Sequence, residues 1–213
     1  MEVHLIRHGE TDWNRERRVQ GQSDSRLNEA GEQQARELAQ RIAAIEFDAF
    51  YCSSSLRTRQ TAALLFPEHQ ARIEYLDSLR EIFLGPWEGR LHADLEAADP
   101  ESFQHFWEEP HLFEVEGAET FYQLQKRGIN ALLQLREQLH GKRVAVVSHG
   151  ALIKSVLAHI QQLPMAAQWT PPLMHNCAHS IVHFDEEGNG RILQYADQPV
   201  SEIDLAGGNG KSA

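Results

Sequence analysis

Three features of this 213-residue sequence predict an α/β fold, a three-layer sandwich whose mostly parallel sheet carries helices on both faces. Short apolar runs alternate with longer stretches of helical periodicity. The clearest run, Val144–Val147, contains no polar residue, as expected of a strand buried on both faces. Polar clusters end three of these runs: Arg7-His8, Ser53 to Arg57, and Ser148-His149. In such sheets, ligands bind beyond the carboxyl ends of the strands.

The elements follow in order. Val3–Ile6 predicts a strand ending at Arg7-His8-Gly9. Ala35, Leu38, Ile42 and Ile45 recur at helical spacing, with Asn28 as N-cap. Asp48–Cys52 predicts a second strand, and Leu56–Leu65 a helix stopped before Pro67. Arg72–Leu76 predicts a third strand. Residues 82–117 are irregular, punctuated by Gly85-Pro86, Pro100, Pro110 and Gly117, with room for a short helix or two. Phe121, Leu124, Gly128, Leu132, Leu135 and Leu139 mark an amphipathic helix that Gly141 terminates. A helix opens at Ser148-His149-Gly150, and Ser180–Phe184 pairs with Arg191–Tyr195 as a hairpin. His175, Cys177 and His179 would alternate along a strand. One domain over 1–205 is expected, with 82–120 as a cap insertion and 206–213 as a disordered tail.

Composition narrows the function. No run of 18 apolar residues predicts a membrane span, and Met1-Glu2-Val3-His4 does not begin a secretory signal. Two cysteines, Cys52 and Cys177, make no disulfide framework, so the expectation is cytoplasmic. A net charge of −11 argues against nucleic acid as the main partner. Residues 81–119 hold eleven acids against Arg90 alone, which would disfavour substrates carrying several anionic groups. The aromatics between Phe83 and Tyr122, namely Trp87, Phe103, Phe106, Trp107, Phe113 and Phe121, form either a small core under the cap or a wall for a leaving group. The C-terminal hairpin offers an edge for a homodimer.

At adjoining strand ends stand two histidines and two arginines, with Glu81 after the third strand. Guanidinium forks match the oxygens of a phosphoryl group. A neutral imidazole can attack phosphorus and hold it, and a carboxylic acid can protonate the leaving oxygen. The set describes metal-free phosphoryl transfer, and neither an HExxH pair nor a Gly-x-Ser-x-Gly elbow is present.

Leu5-Ile6-Arg7-His8-Gly9-Glu10-Thr11-Asp12-Trp13-Asn14 resembles the signature of the histidine phosphatase superfamily, with its phosphoglycerate mutase-like fold. Gln20 to Asp24, Ser53 to Ala62 and Leu79-Arg80-Glu81 resemble later motifs in the same order, as does Val146 to Gly150. The resemblance spans Leu5 to about Lys154. It implies His8 as the nucleophile that becomes phosphohistidine, and Glu81 as general acid and then base. It implies Arg7, Arg57 and His149 on the phosphoryl oxygens, Asn14 as a further polar contact, and Gln20 and Gly21 at the mouth. No cofactor or metal is implied, and the substrate would be a small-molecule phosphomonoester. Arg57 is the motif arginine rather than Arg59, because it stands four residues before Thr61. Ser54-Ser55 and Thr58 depart from the usual pattern, which leaves the pose of Arg57 open; Ser53 is either a phosphate contact or a helix cap.

Gly85-Pro86-Trp87-Glu88-Gly89 is similar to the motif of the small phosphatases, including α-ribazole and broad-specificity types. Hydrolysis is therefore expected ahead of two alternatives, a cofactor-dependent phosphoglycerate mutase and a phosphate-binding protein with little turnover.

Overall fold

The computed structural model describes residues 1–200, so the tail expected at 206–213 lies outside the described residues. A seven-stranded sheet runs β3-β2-β4-β1-β5-β6-β7. Its parallel half is β3 (Ile73–Leu76), β2 (Ala49–Ser53), β4 (Arg143–Ser148) and β1 (Glu2–Arg7). The other half, β5 (His179–Phe184), β6 (Gly190–Tyr195) and β7 (Gln198–Pro199), is antiparallel. The sheet is thus only partly parallel, because β1 pairs in parallel with β4 on one side and antiparallel with β5 of the returning hairpin on the other.

Alternation along the strands makes two apolar layers. Val3, Leu5, Val144 and Val146 face one cluster with Leu124, Leu132, Leu152 and Val156, from α6 (Phe121–Gln138) and α7 (Gly150–Ile160). Ile6, Ala145, Val147, Phe50 and Cys52 face the other, with Ala35, Leu38 and Ile42 of α2 (Glu29–Ile42) and Ala62 and Leu65 of α3 (Leu56–Leu65). Helices on both faces give the three-layer architecture. Asn28 caps α2, its Oδ1 accepting the Gly31 N–H at 2.9 Å.

Several boundaries move. The helix α2 ends at Ile42 rather than Ile45, and a one-turn helix α1 (Asp12–Arg15) follows the first strand inside a Thr11–Asn14 capping box. The irregular stretch holds α4 (His92–Ala98) and α5 (Pro100–Glu108). His175 and Cys177 do not alternate with His179 along a strand: β5 begins at His179, and Cys177 takes a left-handed φ of 54° in the preceding turn. Both cysteines are buried and unpaired with each other, and burial pushes each thiol up to about 12. The hairpin edge is covered at Gln194 and Tyr195 by β7. Among the described residues no helix is long and apolar enough to cross a membrane.

Register places the site. Arg7 lies opposite Ser148 and Cys52 opposite Val147, so residues 7–8, 53–57 and 148–149 emerge side by side at one end of the sheet.

Candidate active site

His8 follows β1 and is 3% exposed. Its Nδ1 lies 2.8 Å from the Gly9 carbonyl, which can only accept, so Nδ1 carries the proton. Nε2 then presents its lone pair, and it accepts from Arg57 Nε at 3.2 Å. Burial, and then the Arg57 and Arg7 guanidinium groups, hold His8 well below its ordinary 6.5. The site therefore contains a neutral imidazole with a nucleophilic nitrogen turned toward positive charge.

Arg57 is almost fully buried, at 1% exposed. Its Nη1 donates to Ser23 O at 2.9 Å and Nη2 to Gly21 O at 2.7 Å, while burial pushes the guanidinium down to about 10. Thr61 explains the spacing of four: its hydroxyl donates to the Arg57 carbonyl and accepts the Gly9 N–H, tying the two motifs together. Thr58 turns its hydroxyl to the Ser53 and Ser55 carbonyls, so this departure from the family pattern ties the start of α3 to the loop before it. Arg59 stays outside the site, stacked over Tyr75 at 4.8 Å.

His149 packs beside His8, with ring centroids 5.3 Å apart. Its Nε2 meets Ser53 Oγ at 2.7 Å, so Ser53 orients an imidazole, and the cap position of α3 belongs to Ser55 instead. The His149 Nδ1 and the Arg7 Nε are buried without a hydrogen-bond partner among the described residues. Orphaned buried polar atoms cost about 1–3 kcal/mol each, so their survival in one spot fits a site shaped for an anion. Arg7 Nη1 donates to the Met174 carbonyl, and a Cβ on Gly150 would stand 3.2 Å from Arg7 Nε. A glycine there gives the guanidinium its room.

Glu81 sits at the N-terminus of α7. One oxygen accepts the Ile82 and Leu152 N–H groups and the other the Ala151 N–H, each at 3.0 Å. Gly21 has a φ of +51°, and a Cβ there would lie 2.2 Å from Glu88 Oε1, so only glycine fits both the turn and its neighbour. Asn14 lines the cavity while bonded to Thr11 and Asn176, and Gln20 Oε1 accepts from Thr11 and Ser25. Arg7, His8, Asn14, Gln20, Gly21, Arg57 and Glu81 line one cavity, and His149, fully buried, packs against His8 without lining it.

The cavity above them measures about 530 Å³. Trp87, Phe103, Phe106 and Trp107 line it, joined by Trp169, Leu173 and Met174 from a segment in which sequence reasoning named no site residue. Trp87 and Phe106 are also nearly buried in the cluster with Phe113 and Phe121, so the aromatics are both core and wall. Among the described residues its acidic lining is Glu81 alone, and the other cap acids that were to bias substrate entry do not line the cavity. Glu88 is spent on Gln22, Ser23 and Leu84, and Glu119 on Arg127 and Phe83. Lys154, also missed, contributes an ammonium that burial pushes down to about 8 and that donates to the Thr170 and Pro172 carbonyls. Its signal in the sequence, a lysine inside the apolar run of α7, was readable.

Four histidines, His4, His8, His149 and His179, are buried and held below 6.5, burial being the first cause in each. Unfolding frees each to bind a proton below its ordinary value, so this contribution to stability is complete above pH 6.5 and declines as pH falls. Each costs at most about 1.4 kcal/mol per pH unit. Urea midpoints should drop between pH 6.5 and 5; a flat profile there would contradict this balance.

The family model of the histidine phosphatase superfamily (branch 1) matches residues 3–198. The chain belongs to this superfamily. Among relatives of the histidine phosphatase, a metal-independent phosphoserine phosphatase of Arabidopsis thaliana is 31% identical over 189 residues, covering 87% of this chain and 77% of that one. A probable phosphoglycerate mutase GpmB of Salmonella choleraesuis is 31% identical over 207 residues, covering 96% and 95%. The solved structure of Bacillus stearothermophilus YhfR superimposes with a TM-score of 0.88 at 37% identity, covering 95% and 98%.

Proposed function

We propose that this histidine phosphatase hydrolyses small phosphomonoesters through a phosphohistidine at His8. The observation that carries the reading is the His8 Nε2 lone pair facing Arg57, beside the orphaned donors of Arg7 and His149. In the first step, Nε2 attacks phosphorus, the P–N bond forms as the ester P–O bond breaks, and protonated Glu81 gives its proton to the leaving oxygen. In the second, Glu81 takes a proton from water, whose oxygen attacks phosphorus as the P–N bond breaks. Phosphate leaves and the Nε2 lone pair is restored. Arg7, Arg57 and His149 hold the phosphoryl oxygens, with Asn14, Gln20 and Gly21 at the entrance. Ser53 donating to His149 Nε2 would place a proton on Nδ1, making it a donor to an oxyanion.

Residues 82–120 serve as a cap, and the aromatic wall receives the organic part of the ester. A leaving group with an apolar or aromatic face fits better than one rich in charge. The wall cations are already engaged, Lys154 by two carbonyls and Arg18 by Glu16 and the Gly89 carbonyl. The same point weakens the mutase reading favoured by the GpmB relative, since a bisphosphate needs cations for its second phosphate.

Hydrolysis of p-nitrophenyl phosphate and of an alkyl phosphate in excess EDTA, with Glu81→Gln beside the native enzyme, tests the reading. Glu81→Gln should cost on the order of 10²-fold in kcat/KM on the alkyl ester. On the nitrophenyl ester, whose phenolate needs little protonation, the loss should stay within about tenfold. Equal losses would remove Glu81 from proton transfer. Absence of native turnover, with phosphoglycerate interconversion present, would give the mutase reading the site.

A further inference from the structure

We propose that Arg127, on the polar side of α6, is a positioning residue for Glu81, acting with Glu119 as a clamp on the peptide that carries the acid; this rests on Glu81 being the proton donor. The guanidinium has five N–H donors, and all five are committed. Nε and one Nη2 hydrogen go to the two Glu119 oxygens at 3.0 and 2.8 Å. Nη1 donates to the carbonyls of Ser78 at 3.0 Å and Arg80 at 2.7 Å, and Nη2 to that of Glu81 at 3.1 Å. Glu119 completes the frame on the far side of Glu81. Its Oε2 accepts the Phe83 N–H at 3.1 Å and its own N–H donates to the Phe83 carbonyl at 2.7 Å.

The backbone on both sides of Glu81 is thus fixed to one planar cation. Regular secondary structure does not hold it, because residues 80–84 lie between two short turns of 3₁₀ helix. The Glu81 side chain must meet three N–H groups, two of them at the start of α7. A carboxyl that shifts by an ångström loses proton transfer long before the fold is lost. Arg127 contacts neither His8 nor Arg57 in this network, so removing the clamp should bear on proton transfer more than on attack at phosphorus.

The test reads kcat/KM across leaving groups, since that ratio reports the step in which the ester bond breaks. In Arg127→Met the alkyl ester should lose about tenfold or more, and p-nitrophenyl phosphate about threefold or less. Adding Arg127→Met to Glu81→Gln should bring little further selective loss, because the two act on one proton. Arg127→Lys, which keeps the charge with three donors, should lie between native and Met, and it supplies the comparison if the Met variant does not fold. Equal losses on both esters in the Met or Lys variant would overturn the clamp, as would full additivity with Glu81→Gln. Selective loss in Glu81→Gln with none at position 127 rejects the clamp alone. Loss of selectivity in Glu81→Gln itself rejects the proton-donor reading beneath it.

Discussion

His8→Ala is expected to lower kcat/KM by on the order of 10⁴-fold or more, on nitrophenyl and alkyl esters alike, with the fold retained. The loss is large because no neighbour can replace the nitrogen: His149 is the nearest imidazole, and its Nε2 is held at 2.7 Å by Ser53. A cavity the size of an imidazole should be tolerated, since the ring borders the open cavity rather than the apolar layers. Acid-labile label on the native protein after a quench with radioactive substrate, absent from His8→Ala, would complete the result. An undiminished variant would end the phosphohistidine route. The pH profile carries a second check. Burial and two guanidinium groups keep His8 neutral to well below 6.5, so lowering the pH through 6.5 should not disarm it. After correction for the second ionisation of the ester phosphate near about 6, the acid limb assigned to the enzyme should lie well under 6.5. A limb at 6.5 would describe an exposed histidine, which this is not.

The parts of the site that were legible in the sequence are those written in consecutive residues at strand ends. Arg7-His8, Arg57 with Thr61, and Ser148-His149 each follow a short apolar run, and the parallel register of β1, β2 and β4 does the rest. The distinction of Arg57 from Arg59 was also readable, because one turn of helix separates Arg57 from the threonine that supports it. What was hidden depends on backbone carbonyls far away in the chain. Arg127 reads as a solvated charge on α6 until its five acceptors come together from positions 78 to 119. Trp169 and Met174 lie in a segment without periodicity and reach the cavity because Lys154 and Arg7 hold the neighbouring carbonyls. The acidic stretch misled for the same reason. Charge is visible in one dimension, whereas the direction of a carboxylate is set by packing: among the described residues only Glu81 of this stretch lines the cavity, while Glu88 turns to Ser23 and the backbone and Glu119 to Arg127 and Phe83.

Arg57→Ala should cost about 10²–10³-fold in kcat/KM, the range found when one preorganised donor to a developing oxyanion is removed. Two effects combine. The variant removes positive charge beside the nitrogen that attacks, at 3.2 Å from His8 Nε2, and it leaves the Ser23 and Gly21 carbonyls without their donors. The second effect loosens the turn that forms the cavity mouth, so KM should rise as well as kcat fall. Arg57→Lys separates them. Lysine restores a charge but not a planar fork that can face His8 through one nitrogen and two carbonyls through the others. Its recovery should therefore be small, under about tenfold, for a group buried to this degree. Near-native activity in Arg57→Lys would mean that net charge suffices and that the fork geometry, on which the placement of the phosphoryl group depends here, is not what the site uses. The expected failure of lysine would instead tie catalysis to the orientation that Thr61, Gly21 and Ser23 impose on one buried guanidinium.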